Sequence, residues 1–264
     1  MRHIDNTLMF AASNGYVDIM KMMLEKGANI NIRSKETDHW TPLMNAAKNE
    51  QLGAVKFLLK NGAKVNLKND NKETALLLSW NKNIIKLLLD NGADVNVKDK
   101  KGNSLLNKIV ICDRDDFLEV LLKYKTDINA KNKKGETAII IASKRGYKDT
   151  VKMLIEAGAD VNANDAKGYT ALMYAIENDH TDRIIDIIKM LLNAGADVNA
   201  KNVYGQTALM YESENTRYTY VIKMLLDAGA DVNAKDVYGR TAITYASRCR
   251  YTDIVEMLRK AGAK

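Results

Sequence analysis

Apolar residues along this chain fall in short blocks with helical spacing, and polar stretches separate the blocks. In one stretch Ile139 and Ala142 belong to a first block, Val151, Leu154 and Ile155 to a second, with Gly146-Tyr147 between them. Spacing of three and four predicts two short helices joined by a tight turn. Thr41-Pro42 predicts an N-cap and a first helical position, where the donor that proline lacks is not needed. A Gly-Ala pair closes the second block, and its glycine suits the left-handed residue that stops a helix. The polar stretch that follows holds Asp or Asn with Gly three residues later, as from Asp99 to Gly102 and Asp165 to Gly168. That is turn chemistry and predicts a hairpin tip.

The pattern recurs. A phrase G-A-x-V/I-N begins at Gly27, Gly62, Gly92, Gly158, Gly195 and Gly229, with a worn copy at Lys125 and a truncated Gly-Ala at Gly262. Successive copies lie 35, 30, 33, 33, 37, 34 and 33 residues apart. A second phrase, G-x-T-A-L or a variant of it, starts at Gly102, Gly135, Gly168, Gly205 and Gly239. A fixed period of this size is the signature of a stacked repeat array.

The units resemble the ankyrin repeat family, whose T-P-L-H-x-A phrase appears here as TPLMNA at 41–46, TALLLS at 74–79, TAIIIA at 137–142 and TALMYA at 170–175. The resemblance covers the whole chain and implies an all-α repeat solenoid, each unit a helix-turn-helix plus a β-hairpin loop. About eight repeats are expected in one curved stack and one domain, 1–264, divided near 1–33, 34–68, 69–98, 99–131, 132–164, 165–201, 202–235 and 236–264. Departures from the pattern are local. Met9, Met44, Met173 and Met210 replace the family's His. The third unit is short around Asn81-Lys82-Asn83, and Trp80 is expected to fill the space left there. The sixth is long within residues 178–183. The fourth carries Ile109 and Val110 at small-residue positions and Lys125 for Gly, so it is expected to be misfitted and labile. The first unit starts directly on its helix near Asn6-Thr7, the last helix carries Arg248, Arg250, Glu256, Arg259 and Lys260, and the array reads as capped at both ends.

Composition excludes several classes. Of 264 residues 46% are hydrophobic and 28% charged, with one proline, two cysteines and three histidines. No apolar run approaches the roughly 18 residues of a membrane span, and the N-terminus shows no signal-peptide pattern. A cytoplasmic place of action is expected, in the protein's own cell or one into which it is delivered. Cys112 and Cys249 lie far apart with no histidine near them, so free thiols are expected and a zinc site is not. Asp113-Arg114-Asp115-Asp116 falls in an inter-helix turn, where acids favour the next helix start. Asp182 and Asp186 lack a cation-loop pattern. With no catalytic constellation, cofactor or metal site in view, the chain reads as a non-enzyme.

A partner is expected on the hairpin tips and first helices, the surface the family resemblance implies. Nearly all of the net charge of +7 arises between Lys98 and Lys152, where 14 basic residues face 8 acidic ones. Lys100, Lys101, Lys133 and Lys134 are tip residues, and Lys144 and Arg145 end a first helix. They form either a solvated face or a docking patch for an acidic segment of a protein partner. Toward the C-terminus the tips become apolar: Tyr169, then Val203-Tyr204, then Val237-Tyr238, with Trp40 a lone aromatic at the far end. These are expected either to anchor a partner or to pack tip against tip. A second ladder, Tyr174, Tyr211 and Tyr245, is expected to pack between units. The leading function is a scaffold, adaptor or inhibitor that binds protein as a monomer. Nucleic-acid binding through the basic stretch and a targeting module of a larger protein are the alternatives.

Overall fold

The computed structural model describes residues 3–35, 38–178, 181–215 and 219–264. Among these, sixteen helices run in pairs with no strands between them, an all-α repeat solenoid. The first three repeats contribute α1 (His3–Asn14) and α2 (Val17–Glu25), α3 (Pro42–Lys48) and α4 (Leu52–Lys60), α5 (Ala75–Leu78) and α6 (Lys82–Asp90). Repeat four holds α7 (Leu105–Ile111) and α8 (Asp115–Leu121). The remaining pairs are α9 (Ala138–Arg145) with α10 (Lys148–Glu156), α11 (Ala171–Glu177) with α12 (Asp182–Asn193), α13 (Ala208–Asn215) with α14 (Thr219–Asp227), and α15 (Ala242–Arg248) with α16 (Thr252–Lys260). The chain forms two compact units, one of Met1–Ile109 with Asp116–Asp127, the other of Val110–Asp115 with Ile128–Lys264. Their boundary runs through the fourth repeat, the most eroded one.

Local chemistry sets the helix ends. Thr41 Oγ1 accepts the amide of Met44 at 3.2 Å, with Pro42 at the first helical position. At the other end Gly158 takes φ +83 while Ala159 N–H returns to the Leu154 carbonyl at 2.9 Å, a left-handed stop that satisfies an orphan acceptor. Where Lys125 replaces that glycine the left-handed residue is lost, and the Thr126 hydroxyl caps the Leu121 carbonyl instead, at 2.9 Å. Ile109 and Val110 are buried in the fourth repeat like the small residues they replace. Trp80 lies edge-on to Phe117 of that repeat, ring centroids 6.1 Å apart, beside the four-residue helix α5.

Repeats are then tied along the array. The asparagine of each G-A-x-V/I-N phrase accepts an amide from the following repeat and usually donates to a carbonyl there. Asn162 takes the Asp197 amide and gives to the Gly195 carbonyl; Asn199 does the same with Asp231 and Gly229. Asn66, Asn96 and Asn233 repeat the arrangement. One side chain thus satisfies two backbone groups in a loop that has no other secondary structure to satisfy them.

Candidate protein-binding surface

From the third repeat, where Asn69 takes the amides of Asn71 and Glu73, each tip is built on one acceptor. The Asp or Asn that opens it takes, through Oδ1, the amides two and four residues on: Asp99 from Lys101 and Asn103, Asn132 from Lys134 and Glu136, Asp165 from Lys167 and Tyr169. Asn202 does so from Tyr204 and Gln206, and Asp236 from Tyr238 and Arg240. A backbone pair closes the loop, as Asn202 N–H gives to the Gln206 carbonyl and Gly205 N–H to that of Asn202. The hairpins expected from sequence are therefore turns held by side chains, with isolated bridges such as Asn164 to Thr170 in place of strands. In the third repeat Lys72 takes φ +60, the position of the tip glycine elsewhere.

Adjacent tips are in register. In the second unit Ala166 N–H gives to the Lys134 carbonyl, Val203 N–H to Lys167 and Val237 N–H to Tyr204, at 2.9 to 3.0 Å. The approach is close enough that a Cβ on Gly168 would lie 2.9 Å from Asn202 Cα. The tips form a fixed row, and the two residues between the acceptor and the glycine project from it.

In that row Val203, Tyr204, Val237 and Tyr238 are all exposed, Val237 by 61% and Tyr238 by 73%. Lys133 and Lys134 are exposed two tips away. Tyr169 differs: it is half-buried, stacked 5.2 Å from the Tyr174 ring, with its hydroxyl on that of Tyr211. Lys144 reaches Glu136 at 3.3 Å and lies 4.5 Å over the Tyr174 ring, while Arg145 donates to the Ile111 carbonyl. Lys100 and Lys101, exposed, and Trp40, half-buried, lie in the first unit.

The tyrosine ladder underlies the row. Tyr174 donates to Asp165 and Tyr245 to Asp236, each at 2.8 Å, while Tyr211 bonds Gln206 and Asn202. Neighbouring repeats are joined by Tyr169 to Tyr211 and by Gln206 to Tyr245. Burial, then the hydrogen bond to Asp165, pushes the Tyr174 phenol far above its ordinary value. Burial and the bond with Tyr169 do the same to Tyr211. Burial opposes ionisation of Asp236, yet donors from Tyr245 and Arg240 outweigh it and hold the carboxyl down at about 2. Sequence reasoning missed Arg240, whose guanidinium is 4.7 Å from the Tyr238 ring and 4.9 Å from that of Tyr245. Its place, four residues after the turn acid, was the available signal.

No other chemistry gathers here. Among the described residues no group of three or more His, Cys, Asp or Glu could hold a metal ion, and no helix is long and apolar enough to cross a membrane. Asp186 pairs with Lys148 at 2.6 Å and Asp115 accepts from Thr150. Of the long sixth-repeat stretch 178–183, Asp179 and His180 lie outside the described residues, while Thr181 precedes α12 and Asp182 begins it.

A family model of ankyrin repeats in three copies matches residues 8–99, 106–202 and 183–264. The chain belongs to the ankyrin repeat family, whose repeats are generally protein–protein interaction modules and typically non-catalytic. The comparison with curated proteins finds no match.

Proposed function

We infer that this protein is a non-catalytic scaffold, adaptor or inhibitor that holds a partner protein on the tip row of its second unit. The observation that carries this reading is the pair of adjacent Val-Tyr tips, Val203-Tyr204 and Val237-Tyr238. Four large apolar side chains stand in solvent on turns that are fully hydrogen-bonded without them. Rigid aromatic residues with an aliphatic neighbour serve well as interface anchors, because little conformational entropy is lost when they are covered. The exposed Lys133 and Lys134 further along the row favour a partner segment with acidic residues at one end and apolar residues at the other. Lys100, Lys101 and Trp40 are candidate contacts that the first unit carries by itself.

The test is affinity capture by the full chain, with identified partners then titrated against a Tyr204→Ser, Tyr238→Ser double variant. Loss of at least tenfold in affinity with an unchanged circular dichroism spectrum is expected. Equal affinity of the two proteins would remove the tyrosine anchors from the interface.

A further inference from the structure

The tips of the second unit carry their displayed residues in two lines. Each tip shows two residues between its turn acceptor and its glycine. The amide of the first gives to the carbonyl of the second residue of the tip before, as Ala166 does to Lys134 and Val203 to Lys167. First residues therefore line up with first, and second with second. One line runs Lys133, Ala166, Val203, Val237, the other Lys134, Lys167, Tyr204, Tyr238, and all are exposed. Val203, with a tip on either side, is nearly as open as Val237, 58% against 61%. The charge of the row is one-sided. Lys134 and Lys167 enter no ion pair among the described residues. The acids of these tips turn inward, Glu136 to Lys144 and Asn132, Asp165 to Tyr174, Asp236 to Tyr245 and Arg240. The hydroxyls of Tyr204 and Tyr238 likewise have no partner among the described residues.

The step from tip to tip selects what can lie along these lines. The first helices α9, α11, α13 and α15 pack each on the next. Packed helix axes stand about 8–10 Å apart, and the hydrogen-bonded tips follow the same step. A polyproline II helix repeats every three residues at ~3.1 Å each, roughly 9.3 Å per turn. It therefore sets one side chain on every tip. A β-strand returns to one face at about 6.7 Å and again at about 13 Å, out of step with the row. An α-helix comes back after seven residues, about 10.5 Å on, but leaves a turn of side chains unmatched between tips. We propose that the partner lays a polyproline II segment along this row. Acidic residues head two successive turns, over Lys134 and Lys167, and proline or an aliphatic residue heads the next two, over Tyr204 and Tyr238. Ala166, Val203 and Val237 flank the residues between. A polyproline II backbone has no internal hydrogen bonds, so its carbonyls take the free phenol hydroxyls. Tyrosine faces receive proline rings, and a segment already stiff loses little entropy on docking. This rests on the tip row being the protein-binding surface, and it names the form and charge order of the segment held there.

Fluorescence polarisation of synthetic peptides against the full chain tests it. The probe has four three-residue turns, glutamate heading the first two and leucine the last two, with proline elsewhere. Binding in the micromolar range is expected. The Tyr204→Ser, Tyr238→Ser double variant should weaken it at least tenfold. Lys134→Glu with Lys167→Glu should weaken it roughly fivefold, both with unchanged circular dichroism spectra. Two controls carry the same four head residues, one with them four apart and one with them seven apart in an alanine-rich helix; each should bind at least tenfold more weakly than the probe. No binding of the probe up to millimolar concentration, equal binding of the four-residue control, or tighter binding of the helical one overturns the proposal. Captured partners titrated against the tyrosine variant report on the row by themselves. Tyrosine-dependent capture without probe binding removes the polyproline II segment and keeps the interface, whereas capture indifferent to the tyrosines removes both.

Discussion

The Tyr245 hydroxyl donates to the Asp236 carboxylate at 2.8 Å, nine residues back along the chain, and so fastens a first helix to the turn that precedes it. The same carboxylate takes the amides of Tyr238 and Arg240 and the Arg240 guanidinium. One buried acid organises the tip that carries Val237 and Tyr238.

Acid should therefore loosen this tip late. Its folded carboxyl titrates at about 2, below the unfolded value, so the stability it supplies is complete above the ordinary carboxylate range and is lost as pH falls through about 2. Asp236→Asn keeps the two amide bonds, as Asn202 shows, but loses the ionic ones. We expect a cost of about 1 kcal/mol at neutral pH and a flatter acid-denaturation curve, measured by urea midpoints between pH 7 and 2.

Alkali acts on the ladder in the opposite sense. Tyr174 and Tyr211 hold their protons more tightly folded than unfolded. Their stabilising contribution is present below the ordinary phenol value and is lost as pH rises beyond it, because the unfolded phenols ionise first. A double Phe variant at these two positions should be less stable at neutral pH by about 1–2 kcal/mol. It should also lose less on going from about pH 8 to 11, followed by denaturation midpoint and phenolate absorbance.

Two glycines of nearly the same φ separate strain from contact. Gly158 has φ +83 with open space around an added Cβ, while Gly168 has φ +79 and the backbone of Asn202 and Val203 within 3.2 Å. Gly158→Ala should cost about 1 kcal/mol, the conformational part alone. Gly168→Ala should cost clearly more and shift the amide resonances of residues 202 and 203.

The asparagine ties predict coupling between repeats. Asn199→Ala removes one acceptor and one donor that serve Asp231 and Gly229. Both bonds are solvent-accessible, so a loss of about 1 kcal/mol is expected by urea denaturation. Hydrogen exchange should speed up at residues 229 to 231 before it does so elsewhere.

Sequence made the framework legible because its determinants are short-range. The Gly-Ala stop, the Thr41-Pro42 start and the Asp or Asn of each tip act within five residues, and the structure uses them so. Tyr169 was harder to read. It and Val203-Tyr204 occur near equivalent tips, yet Tyr169 follows its glycine and turns inward onto Tyr174 and Tyr211, whereas Tyr204 precedes its glycine and points out. One place in the turn reverses the direction of the side chain. The exposure of Phe10, Ile19 and Met22 in the first repeat escaped for another reason. Phe10, Ile19 and Met22 look like ordinary core positions in a helix pattern, and only the neighbour on the far side decides whether they are covered.

The close tip-to-tip approach at Gly135, Gly168 and Gly205 has an evolutionary consequence. Because the turn's bonds come from the Asp or Asn and the backbone, the two residues it displays can be exchanged like type in a printer's rack, with the spacing preserved. Lys133-Lys134 and Val237-Tyr238 are two settings of the same slot. A lineage could therefore change what this protein recognises one pair at a time, without re-solving how the protein folds.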